Sequence, residues 1–469
     1  MVTLDSILFV IPVLLVIHPK VFHLFQVQKW FMLISSLAFP LIHGYLVGFR
    51  WQVSFLYLIH LILILLAVYL ISSKDTYKLG YRGIRKICSV TVLSTLLFTW
   101  VFPVGLLIEA KGPYKIGTAS LVVKSDDRRE LYGDKYDTLR SFAVQFYFPS
   151  DTGGERPAPL FENGEAIELG FKNAFGIPKM GVDYFSQLPS NVWYDTKLST
   201  SEDQYPVIVL SHGWKGFRNI HANIAEKMAS NGYIVVAIDH TYGALATQIK
   251  SDEVVLLNHA ALPNRETHLQ YLKYGSALIE TYKGDILETL DLIEDMNQAG
   301  YNSILTERMN LGKITVLGHS TGGGAAVSAA LSDSRISAVV GLDAWVEPLD
   351  DISILSGLKV PYLHLSSEAW RGGVNEKNLN MLIANSSEDR WLITLEGTKH
   401  TDFTMLGYLS PVSEQIKLTG KNGKEAIEIQ EKLIYKFIDY YSNGRNTKKA
   451  IVDIIKEYDS ATAEAIYMR

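Results

Sequence analysis

Cysteine is almost absent from this chain of 469 residues, in which Cys88 is the only one. A single thiol excludes an intramolecular disulfide bond. Because Cys88 lies within an apolar run, it also gives no support to a cysteine-based metal site or to a thiol nucleophile. The chemistry of the protein must therefore come from other side chains.

An excess of positive charge is also missing, since the net charge is −5. Residues 1–111 hold nine Lys or Arg against three acidic residues, so the rest of the chain has a net charge of roughly −11. Binding to phosphate backbones requires a basic surface. The acidic remainder therefore predicts that nucleic acid is not a partner.

Charged residues are missing from three long apolar runs near the N-terminus. Each run is about 20 residues long, which is the length that crosses a bilayer as a helix. A shorter run, Leu4–Ile17, contains Pro12 and lacks the basic start of a secretory signal, so it is a weaker fourth span. The sequence predicts a transmembrane region of three to four helices over residues 1–110. The three long runs are Trp30–Phe49, Gln52–Ser73 and Ile87–Ile108.

The distribution of Lys and Arg predicts how these helices are oriented. The loop Lys74–Lys86 contains five basic residues, whereas the other side of the neighbouring span offers only Arg50. The positive-inside rule places the basic loop in the cytoplasm. We therefore expect an integral protein of the cell membrane in which everything after Lys111 is extracytoplasmic, with the helices as an anchor.

The remaining residues, 111–469, show the pattern of an α/β domain. After two initial strands, strand and helical patterns alternate, which is typical of a mostly parallel sheet covered on both faces. We predict eight strands and one catalytic domain. The predicted strands are Thr118–Val123, Phe142–Phe148, Val207–Leu210, Tyr233–Ile238, Ile314–Leu317, Ala338–Leu342, Tyr362–Leu365 and Trp391–Leu395.

Two segments of this domain, residues 150–204 and 242–272, are longer than ordinary loops. Long insertions in a compact domain are usually functional covers or disorder. The first is too rich in aromatic residues for a disordered segment, since it includes Phe171, Phe175, Tyr184, Phe185, Trp193 and Tyr194. It is either a partial lid over a pocket or a structural excursion, and we predict lid insertions at both segments.

The pattern that indicates chemistry is Gly318-His319-Ser320-Thr321-Gly322, which lies between the strand pattern Lys313–Leu317 and the start of a helix at Ala325. A serine flanked by glycines at such a corner takes a strained conformation that exposes its hydroxyl above the sheet edge. This serine follows the fifth of the eight strands, which is the order of an α/β-hydrolase. Ser320 is the predicted nucleophile.

A nucleophilic serine needs a histidine base, and in this fold the base follows the serine in the chain. Only two histidines come after Ser320. His364 lies inside a strand, where a packed and hydrogen-bonded role is expected. His400 follows the last strand, in the loop where a base can reach the nucleophile, and is the predicted base.

The acid that orients the base is less clearly indicated. Asp343 ends the strand after the nucleophile, and Glu368 follows the next strand, so position alone leaves the two comparable. Asp402 is only two residues from His400, and capping of its loop is the expected role.

An oxyanion hole needs two amide donors. The residue after the nucleophile, Thr321, supplies the first. The second is expected from the glycine-containing loop after the third strand, Ser211–Arg218, at Trp214. His212 and His319 flank these two turns and are expected to support them through hydrogen bonds.

Taken together, these motifs resemble the platelet-activating-factor acetylhydrolase family, the α/β-hydrolases also called group VII phospholipases A2. The resemblance runs from Gly112 through the helix after His400 and implies that Asp343 is the acid of the triad, with Trp214 and Thr321 as oxyanion donors. It rests on Ser211-His212-Gly213, Gly318-His319-Ser320-Thr321-Gly322-Gly323, Leu342-Asp343-Ala344-Trp345 and His400-Thr401-Asp402-Phe403.

The resemblance implies hydrolysis, without metal or other cofactor, of a short or oxidatively truncated acyl ester at the sn-2 position of a phospholipid. The N-terminal spans are not part of the familiar animal enzymes, though they resemble the arrangement of some bacterial homologues. The bulky Trp214 and the insertions also differ, so acyl and headgroup preferences do not transfer. The alternatives are a general esterase or polyester hydrolase, or a non-catalytic membrane receptor or scaffold with a hydrolase-like domain; no oligomeric state is indicated.

Overall fold

The chain divides into two compact units in a computed structural model that describes residues 2–18, 28–48, 50–72, 81–103, 110–133, 138–178, 181–263 and 267–468. One unit comprises Met1–Leu106 with Leu409–Val412, and the other comprises Leu107–Tyr408 with Ser413–Arg469.

The first unit is helical because its runs of uncharged apolar residues bury one another, as Ile59, Leu63, Ala67 and Cys88 do in a shared core. Two helical segments, Trp51–Ser72 and Arg82–Val101, are long and apolar enough to cross a membrane, and Ile7–Ile17 is a shorter apolar helix. Most of the predicted basic loop and the end of the last predicted span lie outside the described residues. The helices are α1 (Val2–Ile17), α2 (Lys29–Leu46), α3 (Ser54–Ser72) and α4 (Tyr81–Val101), with a 3₁₀ turn at Trp51–Val53.

The second unit contains a large mixed sheet, and its described part has eleven strands in the order β13-β12-β11-β10-β9-β5-β6-β2-β1-β4-β3. A separate hairpin pairs β7 with β8. The strands are β1 (Lys115–Arg129), β2 (Leu139–Ser150), β3 (Arg156–Pro159), β4 (Pro189–Tyr194), β5 (Tyr205–Ser211), β6 (Ile234–Asp239), β7 (Ala246–Lys250), β8 (Glu253–Leu256), β9 (Met309–His319), β10 (Ile336–Leu342), β11 (Tyr362–Ser367), β12 (Arg390–Leu395) and β13 (Ala461–Tyr467).

The prediction of eight strands was wrong in number, and the sheet that was predicted to be mostly parallel is mixed. All eight predicted segments form strands, but β3, β4 and β13 extend the two ends of the sheet. Strand β3 holds two prolines in four residues, and the apolar positions that alternate along the start of β13 are all alanine, so both contain residues that are depleted in strands. Antiparallel pairs join β1 to β2, β2 to β6, β3 to β4 and β12 to β13.

Helices cover both faces of this sheet, as its central strands show. In β5, Val207 and Val209 belong to one core cluster, whereas Ile208 and Leu210 belong to the other, because successive side chains of a strand point to opposite faces. The helices of this unit are α5 (Gly164–Phe175), α6 (Ala222–Ser230), α7 (His268–Met296), α8 (Thr321–Ser332), α9 (Asp351–Ser356), α10 (Val374–Asn385), α11 (Leu406–Leu409), α12 (Gly423–Ile438) and α13 (Lys448–Glu457).

The parallel centre of the sheet determines where the site lies. Strands β5, β9, β10, β11 and β12 are parallel neighbours, so their carboxyl ends meet at one edge. The register pairs Ser211 with Gly318 and His319 with Leu342 at that edge. The segments that follow these strands contain the predicted site residues.

The two long insertions have different structures. Residues 150–204 add β3, β4 and α5, and β4 joins the sheet by pairing Val192 with Ile116. Residues 242–272 contain the β7–β8 hairpin, a short 3₁₀ turn at His259–Ala261 and the start of α7. The lid role of either segment stays a prediction.

A buried carboxyl on α6 leads to a prediction about stability. Glu226 is 2% exposed, and its Oε2 accepts a hydrogen bond from Asn191 Nδ2 at 2.7 Å. In the described part of the chain its Oε1 has no partner. Burial raises the pKa of Glu226 to about 7.

The pKa of Glu226 is higher in the folded state than in the unfolded state. Its contribution to the free energy of unfolding therefore falls as the pH rises from about 4.5 to about 7. We expect Glu226→Gln to increase stability by up to about 3 kcal/mol at pH 8 and to have little effect at pH 4.5. Thermal unfolding at the two pH values measures this. An equal effect at both would contradict the assignment.

Candidate active site

Ser320 occupies the corner between β9 and α8. Its backbone has φ 55° and ψ −120°, a conformation that non-glycine residues rarely adopt and that fold-wide packing must impose. The flanking glycines permit it. A Cβ on Gly318 would lie 2.2 Å from the carbonyl oxygen of Gly322, and a Cβ on Gly322 would lie 2.4 Å from that of Ser211.

His400 and Asp343 come together beside this corner. His400 begins the 3₁₀ turn after β12, and its Nδ1 lies 3.0 Å from Oδ2 of Asp343. Asp343 is fully buried just past β10, where its carboxylate also accepts hydrogen bonds from Ser367 N and Oγ, both at 2.6 Å. In a neutral His400 ring that donates from Nδ1, Nε2 is the atom that can accept a proton.

The other acids and bases considered from the sequence have different partners. Glu368 is exposed, and its Oε2 accepts the Gly397 amide at 2.6 Å. Asp402 Oδ2 accepts the amides of Lys399 and Gly420, which caps the turn that begins at His400. His364 is buried with Nδ1 2.7 Å from the Tyr362 hydroxyl, and burial lowers its pKa to about 4.

The loop after β5 lies directly against Ser320. A Cβ on Gly213 would be 2.8 Å from Cβ of Ser320, so the chain passes the nucleophile at backbone distance. Within the described residues, neither the Trp214 N–H nor the Thr321 N–H meets a protein acceptor. Thr321 is the first residue of α8, where the helix dipole also favours negative charge.

Two histidines stabilise the turns after β5 and β12 through hydrogen bonds. His212 Nδ1 lies 2.7 Å from the carbonyl oxygen of Gly213, and His319 Nε2 lies 3.2 Å from that of His400. Burial, together with the neighbouring His400, lowers the pKa of His319 well below its usual value. Both rings therefore serve as neutral hydrogen-bonding groups.

A cavity of about 480 Å³ opens onto these groups. Ser320, His400, Thr321 and Trp214 all contribute to its wall. Its remaining wall combines the aromatic residues Tyr271, Trp345 and Trp370 with polar, charged and aliphatic residues. The cavity has room for a small ester and places both the serine and the histidine at its surface.

Two neighbours of the His400–Asp343 pair were missed from the sequence. Ser367 fixes the carboxylate through two hydrogen bonds, and the indole of Trp370 stacks on His400 with ring centroids 4.3 Å apart and planes 6° apart. Both lie at the carboxyl end of β11, a position that could have suggested proximity but no role. In the described part of the chain, no group of three or more His, Cys, Asp or Glu could hold a metal ion.

Comparisons with known proteins show a family relationship for most of the chain. The family described as platelet-activating factor acetylhydrolase, isoform II, matches residues 102–453. The canine platelet-activating factor acetylhydrolase is 29% identical over 318 residues, which cover 63% of this chain and 67% of the canine protein. The bovine protein of the same name is 26% identical over 347 residues, or 66% of this chain and 75% of the bovine one.

A more distant relative and a solved structure share parts of the same domain. A probable 1-alkyl-2-acetylglycerophosphocholine esterase of Arthroderma benhamiae is 26% identical over 179 residues, which cover 38% of this chain and 41% of that protein. A ferulic acid esterase from Streptomyces cinnamoneus superposes with a TM-score of 0.63 at 19% identity, over 77% of this chain and all of that one. At this identity the likeness shows the fold alone.

Proposed function

Because the chain belongs to the platelet-activating factor acetylhydrolase isoform II family, it is a serine ester hydrolase, and we propose that Ser320, His400 and Asp343 form its catalytic triad. One observation supports the assignment above all others. Ser320 and His400 line the same cavity, and His400 Nδ1 lies 3.0 Å from a carboxylate that is fully buried. This arrangement provides a nucleophile, a base and a group that orients the base.

The proposed reaction proceeds through an acyl-enzyme. His400 Nε2 accepts the Ser320 proton as Oγ attacks the ester carbonyl, and the Trp214 and Thr321 amides stabilise the oxyanion. Collapse of the tetrahedral intermediate releases the alcohol, which takes the proton from His400. Water then donates a proton to His400 and attacks the acyl-enzyme, which frees the acid and restores Ser320.

The proposed substrate is a glycerophospholipid with a short or truncated acyl ester at sn-2. The names of two relatives support this class, since the canine protein is named an acetylhydrolase and the fungal one a probable esterase of 1-alkyl-2-acetylglycerophosphocholine. The aromatic wall formed by Trp214, Trp345 and Trp370 around the serine also favours a small acyl group. The alternative of a non-catalytic receptor is not favoured by the family relationship.

Hydrolysis of matched phospholipids tests the substrate class. We expect full-length protein in detergent to cleave an sn-2 acetyl ester with kcat/KM at least roughly tenfold above that for an sn-2 palmitoyl ester. Acetyl and palmitoyl esters of a simple alcohol are the control scaffold. Equal rates on both scaffolds and both acyl lengths would indicate a general esterase instead.

For location, we propose that residues 1–110 form a transmembrane anchor and that residues 111–469 form an extracytoplasmic catalytic domain. The apolar helices Trp51–Ser72 and Arg82–Val101 support the anchor, and the Lys and Arg distribution supports the orientation. Protease added outside intact cells should digest the catalytic domain, and protection would refute the orientation.

The second insertion, residues 242–272, is the proposed cover of the cavity. Leu262 and Tyr271 of this insertion line the cavity, which supports that role.

The Trp370 indole leads to a separate prediction about rate. Its face covers the His400 ring, and an aromatic face stabilises the imidazolium that forms during catalysis by about 1–2 kcal/mol. We therefore expect Trp370→Leu to lower kcat roughly 5- to 30-fold on a short aryl ester. Trp370→Phe keeps an aromatic face and should lose less than half of that factor. Equal losses for Leu and Phe would exclude stacking as the cause.

A further inference from the structure

The orientation of the proposed oxyanion donor depends on one carbonyl group. The Trp214 N–H and the Gly213 C=O belong to the same peptide unit, and in a trans peptide they point in opposite directions. Gly213 O accepts hydrogen bonds from His212 Nδ1 at 2.7 Å and from the Gly216 amide at 2.8 Å. Fixing this oxygen on the side away from the cavity therefore fixes the Trp214 N–H toward it.

The hydrogen bonds of His212 determine its tautomer. Gly213 O can only accept, so Nδ1 must hold a proton. The backbone N–H of His240 donates to His212 Nε2 at 3.2 Å, so Nε2 must be unprotonated. The ring is fully buried, and burial and the neighbouring His240 keep its pKa well below the usual value. His212 is therefore a neutral imidazole with its proton on Nδ1.

A second array of buried hydrogen bonds supports the loop Ser211–Arg218. His240 Nδ1 lies 2.9 Å from Asp285 Oδ2, and His240 Nε2 lies 2.8 Å from Ser211 Oγ. These three residues are 0% exposed, so the array cannot meet a substrate although its composition is that of a triad. Arg140 neutralises Asp285 through Nη2 at 2.7 Å. The array holds Ser211, which precedes His212 in the chain, and His240, whose backbone N–H donates to His212 Nε2. It therefore supports both the backbone and the ring of His212.

We propose that His212 is a positioning residue for catalysis, which holds the Gly213–Trp214 peptide so that the Trp214 N–H faces the developing oxyanion. The inference rests on the proposed function, because it assumes the Trp214 amide as a donor. His212 itself touches neither substrate nor Ser320 in this role. Its contribution is therefore expected in transition-state stabilisation and not in binding of the ground state.

Two substitutions of similar size separate the two nitrogen atoms of His212. His212→Asn keeps a donor near the position of Nδ1, whereas His212→Gln keeps an acceptor near Nε2 and loses the donor to Gly213 O. With p-nitrophenyl acetate as substrate, we expect His212→Gln to lower kcat on the order of 10²-fold with KM within about threefold. His212→Asn should retain kcat within about tenfold of the parent.

The Kd for phenylboronic acid, which forms a tetrahedral adduct with a catalytic serine, separates the two roles. If His212 only packed in the core, its substitution would leave this Kd unchanged. In His212→Gln its Kd should rise by the same factor by which kcat/KM falls, because both report binding of a tetrahedral oxyanion. A folded His212→Gln with parental kcat, or Asn and Gln variants that lose kcat equally, would overturn the proposal.

Histidine-selective ¹⁵N NMR of the parent protein tests the same point without a substitution. The signal of His212 should be that of a neutral ring protonated on Nδ1 at pH 7. A charged ring, or one protonated on Nε2, would overturn the proposal even if both variants failed to fold. A parent enzyme that hydrolyses no ester at all would instead refute the proposed function.

Discussion

Ser320→Ala is expected to lower kcat for p-nitrophenyl acetate by roughly 10⁴- to 10⁶-fold, the largest loss of any single substitution in this chain. The reason is that no acyl-enzyme can form without Oγ, and only direct attack by water in the oxyanion hole remains. Binding need not change, because the cavity wall around residue 320 is otherwise intact. Initial rates at saturating substrate, with the full-length protein in detergent, measure the loss.

Ser332→Ala is the matched control for Ser320→Ala. Ser332 ends the same helix, α8, and its hydroxyl donates to the carbonyl oxygen of Ser328 at 3.1 Å. We expect this variant to keep the parental rate. If Ser320→Ala kept more than about a tenth of the parental kcat, another group would have to be the nucleophile.

Asp343→Asn is the substitution with the second largest expected effect, a loss in kcat of about 10⁴-fold. An asparagine amide facing His400 Nδ1 favours the tautomer that is protonated on Nε2, which cannot accept the Ser320 proton. Asp343 has φ 41°, and asparagine tolerates this left-handed region, so the backbone should be retained. The rate on p-nitrophenyl acetate, alongside thermal unfolding, measures the effect.

Glu368→Gln decides between the two acids that position in the sequence left comparable. Glu368 is exposed and accepts the Gly397 amide, a bond that the Gln oxygen can retain. We expect kcat to stay within about threefold of the parent, since no charge next to His400 is removed. A larger loss for Glu368→Gln than for Asp343→Asn would transfer the role of the acid to Glu368.

Much of the central sheet could be predicted because its strands are buried on both faces. Segments such as Val207–Leu210 are continuous apolar runs, and such runs occur at the middle of a covered parallel sheet. The outer strands β3 and β13 depend on pairing with distant partners, and their own sequences are rich in proline or alanine, which are depleted in strands. This is why the predicted number of strands was too small.

The site shows the same division between local and long-range information. The glycines around Ser320 report a local backbone requirement, so the corner was visible in the sequence. Trp370 stacks on His400, and Ser367 donates a hydrogen bond to Asp343. Both contacts depend on how the chain turns at the end of β11. One of the two hydrogen bonds that fix the tautomer of His212 likewise joins the ends of β5 and β6, between residues 28 positions apart. No motif encodes such contacts.

The most direct test of the account is to locate the serine that forms a covalent adduct. Full-length protein in detergent would be treated with a fluorophosphonate, digested and analysed by mass spectrometry, in parallel with Ser320→Ala. The account predicts one adduct, on the peptide that contains Ser320, and none in the variant. An adduct on a different serine, or the same labelling in Ser320→Ala, would contradict it.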